Sequence, residues 1–131
     1  MQILKTIDIS RELMENIFVT AIEGGSNYWY DFSPEQVKAV RTAVPKTEDQ
    51  CFSTAIFKAV WDKGVDIFVS DIESDEVIGC LSIKLIPQRL QRLCSDERYS
   101  WALDNELNDN GDAESSDIIF QFLCMNEVIY G

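Results

Sequence analysis

Alternating apolar and polar residues predict strands, most clearly in the middle of the chain, in the stretch VDIFVSDIESDEVIGCLSI. Successive side chains of a strand face opposite sides of a sheet, so this alternation indicates a half-buried strand. The predicted strands are 2–9, 65–72, 77–83 and a short terminal one over 127–130. Polar turn residues at 74–76 join the two central strands and therefore predict an antiparallel hairpin.

Apolar residues spaced three or four positions apart predict helices over most of the remaining chain. The predicted helices span 11–23, 34–43, Thr47 or Asp49 to Lys63, 85–93, 99–107 and 117–124. Capping residues mark their ends, because a helix start needs a side-chain acceptor and a helix end favours glycine. The predicted starts are at Ser10, Ser33-Pro34 and Ser115 or Ser116, and the predicted ends are at Gly24 and Gly64.

This order of elements predicts an α+β fold, with a small antiparallel sheet of three or four strands and helices packed on one face. The order of the strands is left open. The 131 residues are 46% hydrophobic and 11% aromatic, which is enough to build a core. We therefore expect a single globular domain over 1–131.

The chain is strongly acidic, because 23 Asp and Glu against 11 Lys and Arg give a net charge of −12. Nucleic acids and anionic membrane surfaces attract Lys and Arg and repel such a protein. No apolar run approaches the roughly 18 residues of a membrane span, and the first ten residues lack a signal-peptide pattern. We predict a cytoplasmic protein whose partner is a protein with a basic surface, without direct contact to nucleic acid or membrane.

The acidic residues concentrate in two places that we predict to bind this partner. We call the first set the hairpin acids: Asp71, Glu73, Asp75 and Glu76, which follow Asp62 and Asp66. We call the second set the loop acids: Asp104, Glu106, Asp109, Asp112 and Glu114. No Lys or Arg follows Arg98, and dense carboxylates can imitate a phosphate backbone in a basic groove. The alternative is that the acids only keep the protein in solution.

The segment DNELNDNGDAESSD, residues 104–117, also resembles a calcium-binding loop. With Gly111 at the sixth position, oxygen ligands fall at the usual spacing, at Glu106, Asn108, Asn110, Glu114 and Asp117. The pattern requires Asp first and Glu twelfth, however, and here the two are exchanged. The favoured interpretation is an acidic turn that caps the next helix, so no metal is predicted.

The aromatic stretch EGGSNYWYDF, residues 23–32, is a candidate ligand site. Residues 26–32 are predicted to be extended, and an aromatic face beside polar groups can stack on a base. The candidate ligand-binding residues are Asn27, Tyr28, Trp29 and Tyr30, together with Arg89 and Arg92 on a predicted helix. This combination predicts, as the alternative function, a nucleotide-binding module that sequesters its ligand. The other interpretations are that the aromatic side chains fill the core or form a homodimer contact, and that the arginines pair with the protein's own acids.

Catalysis has little support in the sequence. Histidine is absent and the four cysteines are far apart in the chain, so neither a nucleophile–base pair nor a zinc site is indicated. Four buried, reduced thiols are expected instead. We expect a non-enzymatic protein without a cofactor, and a hydrolase that uses paired carboxylates and a divalent metal stays as the alternative.

Two short motifs resemble a group of uncharacterised accessory proteins of tailed phages and prophages. The first is EGG-x-NYW at residues 23–29, and the second is EV-x-YG at residues 127–131. The resemblance implies no catalytic residue, because no activity is known for the group. It implies a phage setting, in which small acidic proteins often inhibit host defence, as anti-CRISPR proteins do. We therefore predict an acidic, non-enzymatic inhibitor that docks on a basic, nucleic-acid-binding surface of a host protein.

Overall fold

The computed structural model describes residues 1–3 and 6–131, and these form six α-helices and three β-strands. The helices are α1 (Arg11–Thr20), α2 (Pro34–Ala43), α3 (Phe52–Trp61), α4 (Ile86–Cys94), α5 (Ser100–Leu107) and α6 (Ala113–Met125). The strands are β1 (Tyr30–Asp31), β2 (Ile67–Asp71) and β3 (Val77–Leu81). The predicted α+β fold with a small antiparallel sheet is confirmed.

The sheet has the order β1-β2-β3 with antiparallel neighbours. The predicted hairpin is its longer part, in which Phe68 pairs with Cys80 and a bulge lies between Val69 and Ser70. Ile67 and Val69 point into the core, whereas 46% of Phe68 is exposed on the opposite face. The alternation along 65–72 therefore predicted the strand.

Helix α6 is the centre of the fold, and every residue from 115 to 124 is buried. It packs against α1, α4, α5 and β3, so apolar side chains are needed all around it. Phe120 contacts Phe18 edge to face with ring centroids 5.9 Å apart, and Phe18 contacts Phe57 in the same way at 5.2 Å. Each fully buried side chain of this size contributes about 1.5–3 kcal/mol, so this cluster adds substantially to the stability of the fold.

Several helix ends follow the predicted caps. The hydroxyl oxygens of Ser10 and Ser33 accept from the backbone N–H groups three residues later, and Gly64 takes a φ of +69° beyond α3. The prediction that Ser115 or Ser116 caps the last helix is wrong. Asp112 caps α6 instead, because its carboxylate accepts from the Ser115 N–H at 2.8 Å while the Ser115 hydroxyl accepts from the Asp112 N–H.

The first helix does not end at Gly24 as predicted. The chain widens after α1 into a π-helical turn, Ala21–Gly25, and then leaves the helix at Ser26. Gly25 is the glycine that the fold requires, because an added Cβ there would lie 2.5 Å from the Ala113 carbonyl oxygen. This close approach brings the start of α6 against the turn. Residues 27–29 form a turn, and only Tyr30–Asp31 of the predicted extended segment is a strand.

Two predicted strands at the termini are also wrong. Residues 1–3 and 6–10 form neither strand nor helix, and Leu4 and Lys5 lie outside the described residues. The alternation there follows neither strand pairing nor burial, because Ile9 packs against the core while Ile3 and Ile7 stay exposed. Over 127–130 the N–H groups of Ile129 and Tyr130 bind the Gln121 side chain and so pair with no strand.

Candidate functional site

The two motifs at 23–29 and 127–131 are joined by two polar residues of α6, the buried carboxylate of Asp117 and the side chain of Gln121. Oδ1 of Asp117 accepts from the Ser26 hydroxyl at 2.7 Å and from the Trp29 indole N–H at 2.8 Å. Its Oδ2 accepts from the Tyr28 hydroxyl at 2.6 Å and from the Gln121 amide at 3.2 Å. Four donors therefore surround a side chain that is only 8% exposed, and they satisfy the polar group that the core has enclosed.

Gln121, one turn further along α6, holds the C-terminal segment. Its side-chain oxygen accepts from the N–H groups of Ile129 and Tyr130, both at 2.9 Å, and its amide donates to the Tyr130 carbonyl at 3.0 Å. A side chain of α6 thereby satisfies the backbone hydrogen-bonding groups of this C-terminal segment, which we call the tail. This fixes the ring of Tyr130 flat against that of Trp29, with centroids 5.2 Å apart and planes 8° apart.

The same tyrosine connects the tail to the hairpin. The Tyr130 hydroxyl donates to Asp71 Oδ2 at 2.6 Å, while Asp71 Oδ1 accepts from the N–H groups of Glu73 and Ser74. The Tyr130 bond and these two N–H groups lower the pKa of Asp71 to about 2. The bond to Asp71 and partial burial raise the pKa of Tyr130 to about 12. Asp71 is consequently a structural residue that shapes the hairpin turn.

The aromatic stretch is mostly part of the core. Trp29 is 1% exposed, and the Tyr30 hydroxyl donates to the Ile22 carbonyl, where burial raises the Tyr30 pKa to about 12. Asn27 and Tyr28 are exposed, but the Tyr28 hydroxyl is held by Asp117, and burial followed by this bond raises its pKa. The aromatic side chains of residues 28–32 therefore do not form a continuous exposed surface.

The two candidate arginines have different surroundings. One guanidinium nitrogen of Arg89 donates to the carbonyls of Cys80, Leu123 and Cys124, at 2.7, 2.5 and 2.8 Å. Arg89 thus ties β3 to the C-terminal end of α6, where helix carbonyls lack partners. Arg92 is exposed. The predicted pairing of these arginines with the protein's own acids does not appear among the ion pairs of the described residues.

Three of the nine acids predicted to bind a partner have a structural role in the fold. Besides Asp71 and the capping residue Asp112, Glu106 accepts from the hydroxyls of Ser115 and Ser116 at 2.8 and 2.9 Å. Its carboxylate lies over Gly111, where any Cβ would collide with it. The remaining six are Glu73, Asp75, Glu76, Asp104, Asp109 and Glu114, all of which are exposed.

The ion pairs within residues 1–3 and 6–131 lie outside the hairpin acids and the loop acids. They join Arg11 to Glu15 and Asp62, Lys58 to Asp49, Lys63 to Glu48, and Arg98 to Asp96. Asp62, which the sequence grouped with the hairpin, is therefore compensated by Arg11 at 2.5 Å. The six exposed acids have no Lys or Arg within ion-pair distance in the described part of the chain.

The calcium-loop spacing serves a different purpose in the structure. Its first residue, Glu106, binds two serine hydroxyls, and its twelfth, Asp117, binds the Trp29 and Tyr28 side chains. The described residues contain no group of three or more His, Cys, Asp or Glu arranged to hold a metal ion. The spacing comes from a helix end, a turn and a capping box placed in succession.

The cysteines are free but not all buried, contrary to the prediction. Cys124 is buried, Cys80 is half-buried, and Cys51 and Cys94 are exposed. Burial raises the pKa of the Cys94 thiol, whereas the Ser53 hydroxyl lowers that of Cys51 by hydrogen bonding. In the described structure the acidic group bonded to Cys51 is Glu23, at 3.6 Å, and this pairing supplies no general base of the kind a nucleophilic cysteine uses.

Three surface cavities stand out on the described part of the chain, and residues 25–30 and the two arginines line none of them. The first, of about 480 Å³, is apolar and lies between the segment Thr6–Ile9, α4 and the end of α3. The second, of about 620 Å³, lies between the start of α2 and the exposed face of the hairpin. The third, of about 180 Å³, is lined by Glu106, Asp109 and Asp112. The second cavity is the one that joins exposed apolar side chains to a hairpin acid.

Sequence reasoning missed the residues that line the second cavity and those that hold the tail. Phe68 and Val77 were assigned only to strands, although 46% and 63% of their surfaces are exposed. Gln121 was not singled out, although a Gln and an Asp four residues apart inside the apolar run DIIFQFLCM stand on one helix face. Polar residues in an otherwise buried helix are the signal that points to this network.

Comparisons with known proteins give no match: no family model, no curated protein and no solved structure is similar to the chain. Within the described residues, no helix is both long and apolar enough to cross a membrane.

Proposed function

We propose that this protein is a non-enzymatic binding protein that docks an acidic surface on a basic surface of another protein. The observation that supports it is the uneven compensation of charge. Five acids elsewhere on the described chain pair with Arg11, Lys58, Lys63 or Arg98, whereas none of the exposed hairpin acids and loop acids has such a partner. Uncompensated carboxylates repel one another, so they are retained at some cost to stability.

The hairpin acids are held in a fixed arrangement although they lack cationic partners. Asp71 accepts from two N–H groups of the turn, and Asp75 takes a φ of 60°. The turn backbone is therefore ordered, and it fixes the positions from which the side chains of Glu73, Asp75 and Glu76 project. A turn that is ordered before binding loses less entropy on association. Fixed carboxylates also produce a local negative potential that steers a cationic partner towards the hairpin.

The partner that fits best is a protein whose basic surface normally binds nucleic acid. Such surfaces carry clusters of Lys and Arg that neutralise phosphates, and an acidic protein competes for the same cations. The resemblance to phage accessory proteins supports a host protein, and a defence effector in particular, as the target. Docking there would block the nucleic acid without any chemical step.

The test is capture from a nuclease-treated host lysate, with mass spectrometry of the bound proteins. We expect the wild-type protein to capture a basic nucleic-acid-binding protein at about 50 mM salt, to release it at about 500 mM, and to lose it when duplex DNA is added. The variant E73Q/D75N/E76Q, or D104N/D109N/E114Q, should capture less. A partner that stays bound at high salt and to both variants would refute the proposal.

A matched control separates a shaped surface from overall charge. The variant D8N/E12Q/E97Q removes three acids outside both sets, so it changes the net charge of −12 by the same amount as either test variant. It should capture the partner as the wild type does. Equal loss in all three variants would mean that only the net charge matters.

A further inference from the structure

An apolar groove with an acidic rim lies between α2 and the hairpin. Its volume is about 620 Å³, and its apolar lining comes from Pro34, Phe68 and Val77. Phe68 and Val77 are 46% and 63% exposed, and they lie together on the outer face of the hairpin. Exposed apolar side chains grouped on one face commonly mark a contact surface.

The charged residues around this groove all have one sign. Glu35 in the first turn of α2 and Asp75 in the hairpin turn line it, and no Lys or Arg is among its lining residues in the described chain. Glu73 and Glu76, beside Asp75 in the same turn, extend the negative surface. An apolar centre with a charged rim is the usual anatomy of a protein–protein contact.

The groove is built from ordered parts. The Gln36 side chain accepts from the Phe68 N–H at 2.9 Å, which fixes α2 against the part of β2 that β1 does not reach. Ser33 caps α2, and Asp71 holds the hairpin turn. Both walls are thus set before any partner arrives, which favours binding of an extended segment without rearrangement.

We propose that this groove is the docking site for an extended segment of a partner protein that presents a bulky apolar side chain flanked by Lys or Arg. The apolar side chain would contact Phe68 and Val77, and the cations would pair with Glu35 and Asp75. Charge complementarity selects this occupant, because a second copy of this acidic chain would bring like charges into the groove. The inference rests on the proposed function and adds to it an apolar contact beside the hairpin acids.

The test uses synthetic peptides of defined sequence rather than the unknown partner. The first probe is acetyl-Gly-Arg-Lys-Leu-Phe-Lys-Arg-Gly-amide, the second replaces Leu-Phe by Ser-Ser, and the third replaces each Arg and Lys by Gln. Binding is followed by ¹⁵N–¹H correlation spectra of the full chain at low salt. We expect the first probe to shift the amides of Gln36, Phe68 and Val77 and to bind about tenfold more tightly than either other probe.

Variants in the groove test the apolar contact. Val77→Ser and Phe68→Ser should each weaken binding of the first probe about fivefold or more. Ile129→Ser removes a similarly exposed apolar side chain, 56% accessible, outside the groove and should leave binding unchanged. Val77 is the more exposed of the two groove residues, so its replacement disturbs the fold less. The Val77→Ser variant therefore still tests the apolar contact if Phe68→Ser fails to fold.

Charge variants have controls of the same local structure. Glu35→Gln is matched by Glu114→Gln, since both are exposed acids in the first turn of a helix. Asp75→Asn is matched by Asp109→Asn, since both residues have a φ of 60°. The groove variants should weaken binding of the first probe, and the two matched variants should not.

The outcomes distinguish this inference from the proposed function. Shifts confined to residues 104–114, with loss of binding in Asp109→Asn and Glu114→Gln, would overturn the groove while leaving an acidic docking surface. Equal binding of the first and second probes would also overturn the groove, because the apolar contact would contribute nothing. Absence of binding by both basic probes at low salt would overturn the groove and the proposed function together.

Discussion

Replacing Asp117 by Ala is expected to cause a large loss of stability, because this carboxylate serves buried donors. Ser26 and Trp29 are 0% and 1% exposed, and both donate to Asp117 Oδ1. Each donor left unsatisfied in the core costs about 1–3 kcal/mol. Tyr28 is half-exposed and can turn to water, and Gln121 keeps its bonds to the tail.

The two stranded donors therefore cost about 2–6 kcal/mol, while removal of a desolvated charge offsets part of this loss. We expect a net decrease of about 2–4 kcal/mol in the free energy of unfolding. For a chain of this size that corresponds to a fall of roughly 8–16 °C in Tm. The loss is a substantial fraction of the about 5–15 kcal/mol that usually stabilises a domain.

Asp117→Asn is the informative partner of this variant. The amide oxygen of the substituted side chain would still accept from Ser26 and Trp29, and its nitrogen could donate to the Tyr28 hydroxyl, so only the Gln121 contact becomes unfavourable. The expected cost is about 1 kcal/mol. Urea unfolding followed by far-UV circular dichroism measures both variants, with unchanged m-values as the check on two-state behaviour. A cost below about 1 kcal/mol for Asp117→Ala, or equal costs for both variants, would refute the argument.

Three further changes test the surrounding contacts. Gly25→Ala should lower stability by about 1–3 kcal/mol in urea unfolding, because its Cβ meets a backbone carbonyl, whereas Gly24→Ala, with open space around it, should be neutral or slightly stabilising. Arg89→Met should lower stability by about 1–3 kcal/mol, because it leaves three carbonyls without their donor. Arg92→Met, at an exposed arginine of the same helix, should change stability by no more than about 0.5 kcal/mol. Tyr130→Phe should flatten the pH dependence of Tm at both extremes. Because the pKa of Asp71 is lowered in the folded protein, its contribution to stability is present above about pH 4 and is lost as the pH falls towards 2. Because the pKa of Tyr130 is raised, its contribution to stability is present below about pH 10 and is lost as the pH rises through 12. An unchanged Tm profile in that variant would contradict the Asp71–Tyr130 bond.

The fold class was predictable because its signals are local. Alternation over 65–72 and 77–83, the caps at Ser10 and Ser33, and the glycine after α3 each depend on residues close together in sequence. The termini misled the same reasoning, because alternation describes only the sequence and does not show whether a neighbouring strand exists. Residues 127–130 lie beside a glutamine side chain that binds their N–H groups, and they illustrate that difference.

The role of the aromatic stretch was not predictable, because its partners are distant in sequence. Ser26 and Trp29 bind a carboxylate 91 and 88 residues away, and no local pattern announces such a pairing. The loop acids show the opposite difficulty. Capping and calcium binding both require oxygen-bearing side chains at short spacing, so one stretch of sequence fits both until the geometry is known.

The structure separates the polar residues that hold the fold from the acids that we propose for binding. Hydrogen bonds accepted by Asp117 and Gln121 secure the aromatic turn and the C-terminal segment, and Asp71 secures the hairpin turn, without any lysine or arginine. A single cation beside Glu73 or Glu76 would have reduced the repulsion in this turn at little cost. Solubility does not require the charge to be concentrated on an ordered turn next to exposed Phe68 and Val77, whereas recognition of a basic partner does.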